Sequence, residues 1–190
     1  MQGPNGSAFK PEISRFRSST LSETECTAEL QEILDHDPKI QVLLHAIFNL
    51  NGRRTLVRGV TCRTCKGTTQ QDKYGYYDGQ YKRVVICCDN HRSKQEVRNT
   101  LIHELVHAFD ASRKGAFDSI AHTVACGEVR ASRMGQCADL PLEKQRQCVY
   151  EDAVRSTESY CDSTHTAMRV VSQVFDQCFA DLAPFNSQDE

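Results

Sequence analysis

Apolar positions spaced three and four residues apart mark most of this chain as helical, with one β-rich interval before its midpoint. Residues 22 to 36 read as a first helix. Ser22 is its N-cap, and Glu25 stands at the capping-box spacing, where each side chain satisfies a free backbone N–H of the other. Asp37-Pro38 ends that helix, because the residue before a proline is pushed out of the helical region. In a second helix Ile40, Leu43, Leu44, Ile47 and Phe48 form one apolar stripe, closed by Asn51-Gly52. Residues 55 to 62 and 81 to 88 are β-rich, and the polar stretch between them, with its glycines and tyrosines, reads as a loop. A hairpin or small sheet is predicted there. From 93 to 112 the helical period returns, with Ser93 and Glu96 as a second capping box and Val97, Leu101, Leu105 and Ala108 on one face. Further helices are predicted at about 119 to 134, 142 to 157 and 164 to 181.

The pattern is that of an α+β protein. It predicts one domain over residues 21 to 185, between a flexible N-terminal tail (1 to 20) and a short C-terminal tail (186 to 190). An apolar content of 39% excludes disorder throughout. A formal net charge of −2 provides no broad basic footprint, so no nucleic-acid partner is expected. No apolar run reaches the roughly 18 residues of a transmembrane helix, so any membrane association is expected to be peripheral. The N-terminus lacks the apolar core of a secretory signal. Lys10, Arg15 and Arg17 among serines faintly resemble a transit peptide, against which Glu12 counts. The ten cysteines change the picture most: they point to an oxidising compartment or to metal sites. Their even number permits full pairing, with the connectivity open.

The chemistry is concentrated at residues 103 to 107, His-Glu-Leu-Val-His. His103 and His107 are four apart, hence on one helical face, where two imidazoles reach one Zn²⁺ from the same side. Glu104 projects beside the metal without ligating it, placed to take a proton from zinc-bound water. The pattern is short and recurs by chance. Here it lies in a capped helix with uncharged flanks, which favours the catalytic reading over two incidental histidines. A catalytic zinc needs a third protein ligand. Asp110 follows on the same helix, which can hardly wrap three ligands around a tetrahedral ion, so Asp110 is expected to orient a histidine instead. His122 and Glu128 both lie in the next helical segment. Glu128, 21 residues after His107, leaves room for a loop and a return helix and is favoured over His122. Ser132, one turn after Glu128, is a second candidate to fix a ligating histidine. A strand edge near 81 to 88 is expected to hold an extended substrate by β-augmentation.

The run Ile102-His103-Glu104-Leu105-Val106-His107-Ala108-Phe109-Asp110, followed by Ala125-Cys126-Gly127-Glu128-Val129-Arg130-Ala131 and Gly135-Gln136-Cys137, resembles a known family. It is that of mitochondrial inner-membrane metalloproteases that are also ATP synthase assembly factors. The ending Val174-Phe175-Asp176-Gln177-Cys178-Phe179-Ala180-Asp181 with Pro184-Phe185 looks like that family's, and Cys26, Cys62, Cys65 and Cys88-Asp89-Asn90 also fit. The resemblance spans about residues 26 to 185. It implies a small zincin fold and a zinc metalloendopeptidase in the intermembrane space, peripheral to the inner membrane. The implied substrate is the precursor of ATP synthase subunit 6, with inner-membrane assembly factors as partners. It also implies an assembly-chaperone role separable from proteolysis, and cysteines mostly oxidised to disulfides by the oxidative import machinery. Animal members have been described as Ku-antigen-binding proteins, which supplies a rival reading as a Ku-linked interaction module. The chain departs from the family in two places. Thr123 stands where the family has a histidine, with His122 one earlier, and Gln136 replaces an acidic residue. Cys62-x-x-Cys65 with Cys87-Cys88 could alternatively hold a structural zinc. Adjacent strand cysteines face opposite ways, which favours disulfides.

Overall fold

A computed structural model describes residues 19–51, 54–113, 117 and 119–185. The expected tails fall outside these residues, apart from Ser19 and Thr20. The first half comprises α1 (Glu23–His36), α2 (Pro38–Asn51), β1 (Val60–Arg63), β2 (Gly75–Asp78), β3 (Arg83–Cys87) and α3 (Lys94–Asp110). The second comprises α4 (Ile120–Met134), α5 (Leu142–Thr157) and α6 (Thr164–Ala180). The Ser22–Glu25 capping box is formed. Asp37 serves two helices: it ends α1, and its Oδ1 accepts from the N–H groups of Lys39 and Ile40 at the start of α2. Pro38 at the first helical position loses nothing there, since that N–H has no helical partner in any case.

The sheet has the order β1-β3-β2. β1 and β3 pair in parallel, Val60 opposite Val84, so they are not the two arms of a hairpin. The antiparallel partner of β3 is β2, Gly75 opposite Ile86, which lies inside the stretch that reads as a loop. β2 is short and carries Gly and Asp, so periodicity does not reveal it. β3 is the central strand and Val84 to Cys87 are fully buried. Both of its edges are therefore taken, and it cannot receive a substrate strand as expected for 81 to 88.

Two apolar cores result. The first joins Leu30 and Ile33 of α1, Ile40, Leu43 and Ile47 of α2, Val84 and Ile86 of β3, and Leu101, Ile102 and Leu105 of α3. The second joins Val129 of α4, Ala153 of α5, and Val171, Val174 and Phe179 of α6. Helix α4 serves both, with Ala131 and Met134 in the first and Ala125 and Val129 in the second. Phe48, expected in the α2 stripe, is 54% exposed.

Disulfides join Cys26 to Cys62, Cys65 to Cys87, Cys126 to Cys178 and Cys137 to Cys148. Cys62 is thus bonded to Cys26, and Cys65 to Cys87, which removes the alternative of a structural zinc. Pairing is incomplete: Cys88 and Cys161 are free thiols, and they belong to different cores. After α6 the chain returns to the first half. Ala183 and Phe185 pack on its core, with the Lys39 ammonium over the Phe185 ring.

Candidate active site

Helix α3 carries the site because its two faces differ. Leu101, Ile102, Leu105, Val106 and Ala108 are fully buried, while His103 and His107 lie on the side turned to a cleft of about 1470 Å³. Ser93 caps the helix by accepting from the N–H of Glu96. The Glu96 carboxylate reaches back to the N–H of Arg92 rather than to that of Ser93. One wall of the cleft is β2 and its approach, with Lys73, Gly75 and Tyr77. The facing wall includes Gly127, Arg155 and Tyr160.

Three donor groups meet at the floor. His103 Nε2 and His107 Nε2 are 3.0 Å apart. Glu128 on α4 places Oε2 at 3.5 Å from His103 Nε2 and Oε1 at 3.4 Å from His107 Nε2. Ligands about 2.0–2.1 Å from a tetrahedral Zn²⁺ are about 3.3 Å from one another. The three separations are of that size, the two to Glu128 being measured to different carboxylate oxygens. Two imidazoles and a carboxylate are also a donor set that zinc accepts in catalytic sites, with a fourth position left to the cleft. Among the described residues these three form the one group of His, Cys, Asp or Glu side chains able to share an ion.

The electrostatics follow from that crowding. Burial favours neutral His103, but the Glu128 hydrogen bond and the charges of Glu104, Glu128 and Asp152 outweigh it and raise its pKa to about 9. Burial likewise disfavours the Glu128 carboxylate. His107, His103 and the Ser156 hydroxyl more than offset this and lower it to about 2.

Glu104 is 7% exposed and its Oε2 accepts from the Tyr77 N–H of β2 at 2.8 Å. That hydrogen bond shows that Tyr77 directs its backbone to the free edge of β2, away from β3. Gly75 has the same parity along the strand. The close approach also depends on Gly75 itself: a Cβ there would stand 2.7 Å from Thr100 Cγ2 and 2.9 Å from the Val85 carbonyl. At Gly135 a Cβ would stand 2.9 Å from the Asn99 carbonyl and 3.2 Å from His103 Cβ, so this glycine lets the end of α4 cross α3 at the first histidine.

The remaining candidates lie elsewhere. Asp110 lines the cleft, but its carboxylate pairs with Arg130 and Arg113. Ser132 is buried and donates to Asp152 at 2.5 Å, so it stands one residue behind the histidine rather than against it. The group that meets His103 Nδ1 is Gln136, through Oε1 at 3.0 Å. His122 binds Gln173 at 2.8 Å and lies beside Phe117, away from the donor cluster. Sequence reasoning named Gln136 only as a departure from a family pattern. It missed Asp152, Ser156 and the Tyr77 amide altogether, because only helix packing and strand pairing bring these to the site.

Comparison with known proteins places this geometry in context. Residues 24–186 match the model of the peptidase M76 family. The chain is 32% identical to a mitochondrial inner membrane protease ATP23 homolog of Danio rerio, over 90% of this chain and 73% of that one. It is 29% identical to a human homolog of that protease, over 92% and 74%. It is also 29% identical to mitochondrial inner membrane protease ATP23 of Coccidioides immitis, over 85% and 71%. No solved structure matches.

Proposed function

The chain belongs to the peptidase M76 family, and we propose that it is a zinc metalloendopeptidase whose metal is held by His103, His107 and Glu128. The observation that carries this reading is the convergence of two imidazole nitrogens and a carboxylate at separations of 3.0 to 3.5 Å, at the floor of an open cleft. Zinc bound there supplies a water of lowered pKa and polarises the scissile carbonyl. Glu104 accepts the proton of that water and returns it to the leaving amine. The Tyr77 N–H holds Glu104 Oε2, so the carboxylate is oriented before substrate arrives. The substrate is an extended polypeptide laid along the free edge of β2, where Gly75 offers unpaired backbone groups beside Glu104.

The cellular role follows the named relatives. The protein acts at the mitochondrial inner membrane from the intermembrane-space side. No helix among the described residues is long and apolar enough to cross a membrane, which fits peripheral attachment. Four disulfides fit an oxidative import route. The proposed substrate is the precursor of ATP synthase subunit 6, and the protein also assists assembly of the membrane sector together with assembly factors.

The test is Glu104→Gln, assayed on a peptide spanning the N-terminal extension of that precursor. Cleavage should fall by roughly 10²–10⁴-fold while zinc content, measured by elemental analysis, stays at the wild-type level. Cleavage at the wild-type rate would sink the assignment. Restored ATP synthase assembly by the inactive variant would assign the indispensable role to the chaperone activity.

A further inference from the structure

We propose that Gln136 is a positioning residue for His103, its amide oriented by Asp152 and Ser132 so that His103 presents Nε2 to the metal. The inference rests on the zinc-site reading above. Hydrogen-bond polarity fixes the orientation of the amide. Gln136 has one end that only accepts and one that only donates, and either could face His103. Its Nε2 lies within hydrogen-bond reach of Asp152 Oδ2 and 3.2 Å from Ser132 Oγ. Ser132 spends its own proton on the same Asp152 oxygen, at 2.5 Å. The carboxylate accepts from both, and the serine oxygen is left to accept from Gln136. Both protons of the Gln136 amide are thereby used, and flipping the amide would set its oxygen against a carboxylate.

Oε1 must then face His103 Nδ1, 3.0 Å away, and as an acceptor it requires the proton on Nδ1. The lone pair is left on Nε2, the atom that meets His107 and Glu128. Gln136 is itself exposed to the cleft, where water competes for His103 Nδ1. The anchors behind it, with Ser132 fully buried, keep it in place. Metal-ligating histidines generally depend on such a partner, and its loss weakens metal binding by about 10- to 100-fold.

The test uses the full chain with its disulfides intact and zinc itself as the probe, competed against a chromophoric chelator at one fixed pH. Gln136→Ala should weaken zinc binding about 10- to 100-fold. Gln136→Glu alone should also weaken it, because the new carboxylate meets Asp152. The double variant Gln136→Glu/Asp152→Asn reverses the polarity of that contact, so an acceptor again faces His103. It should recover wild-type affinity to within about threefold, a rescue that general loss of packing does not predict. Nitrogen-15 spectra of the chelator-treated protein, recorded at a pH high enough to leave the His103 ring neutral, should show it protonated at Nδ1 in the wild type and in the double variant, and mixed in Gln136→Ala. Wild-type affinity in Gln136→Ala, or no recovery in the double variant, overturns the positioning role. His103→Ala separates the two readings: if it too binds zinc as tightly as wild type, the metal site itself is wrong.

Discussion

The half that holds the sheet is built on leucine, isoleucine and valine from α1, α2, β3 and α3, closed around a strand buried from Val84 to Cys87. The helical half is built on alanine, valine and two stacked phenylalanines, Phe175 and Phe179, packed between α4, α5 and α6. Each half carries two disulfides, and none of the four crosses between them. What crosses is packing along α4 and a set of polar links: Glu128 to His103 and His107, Arg130 to Asp110, and Arg113 to Asp181. The candidate metal site therefore lies on the seam, with its histidines from one half and its carboxylate from the other. Stability within a half and geometry across the seam are separate properties, and variants should distinguish them.

The largest effect is expected at Arg130. Its side chain is fully buried, and its Nε reaches both Asp110 oxygens at 3.2 and 3.0 Å. Its other nitrogens meet the Asp181 carboxylate at 2.7 Å and the carbonyls of Asp181 and Ala183. One guanidinium thus ties the end of α3, one turn past His107, to α4 and to the segment after α6. Arg130→Met keeps the volume but strands these acceptors. A loss of about 3–5 kcal/mol is expected by urea denaturation, as for breaking other buried ion pairs from one side, together with weaker zinc binding. A loss below about 1 kcal/mol, the scale of an exposed pair, would mean that the seam is held by apolar packing alone.

Disulfide removal sharpens the same comparison. Cys26–Cys62 closes 36 residues in the sheet half and Cys126–Cys178 closes 52 in the helical half. Loop entropy gives both about 4 kcal/mol, so replacing either pair by alanine should lower stability similarly. Their effects on the site should differ. Cys126 stands two residues before Glu128 on α4, whereas Cys26–Cys62 joins α1 to the edge strand β1. Zinc affinity should fall in Cys126→Ala/Cys178→Ala and stay within a few-fold in Cys26→Ala/Cys62→Ala. Equal loss of affinity in both would show that the two halves do not act separately.

The same division governs what was legible in the sequence. Features with a local cause could be read. Ser22 and Glu25 announce a capped helix three residues apart, and the His103 and His107 spacing puts both rings on one face whatever surrounds them. Glu128 could be proposed because a return helix is a simple way to bring a third ligand back. Features that depend on pairing across the chain could not be read. β2 is a strand only because β3 lies beside it, and the parallel register of β1 with β3 has no signature in either segment. Asp152 reaches the site only because α5 packs on α4, so Ser132 was named to fix a ligating histidine without the Gln136 that stands between it and His103 Nδ1. Phe48 has the right spacing for the α2 stripe and still lies outside it, since periodicity does not say how wide the buried stripe is.

The smallest expected effect concerns pH, and it tests the seam directly. His103 is raised from 6.5 to about 9 by the carboxylates around it, against the pull of burial. Its contribution to stability is therefore complete below about pH 6.5 and is lost as pH rises through 9. Glu128 is lowered from 4.5 to about 2, so its contribution is complete above about pH 4.5 and is lost as pH falls through 2. Chelator-treated protein should accordingly hold the full benefit of this ion pair between about pH 4.5 and 6.5 and weaken from 6.5 to 9. Zinc must displace the proton from His103, so its affinity should rise over that same interval by up to roughly tenfold per pH unit, with about one proton released per ion near pH 7.5. Calorimetry in buffers of different ionisation heat counts that proton, and urea denaturation at pH 6 and pH 9 follows the stability. Opposite slopes are the mark of a ligand set that forms an ion pair across the two halves before it holds a metal. A zinc affinity independent of pH between 6.5 and 9 would mean that His103 is already neutral and forms no ion pair with the Glu128 carboxylate.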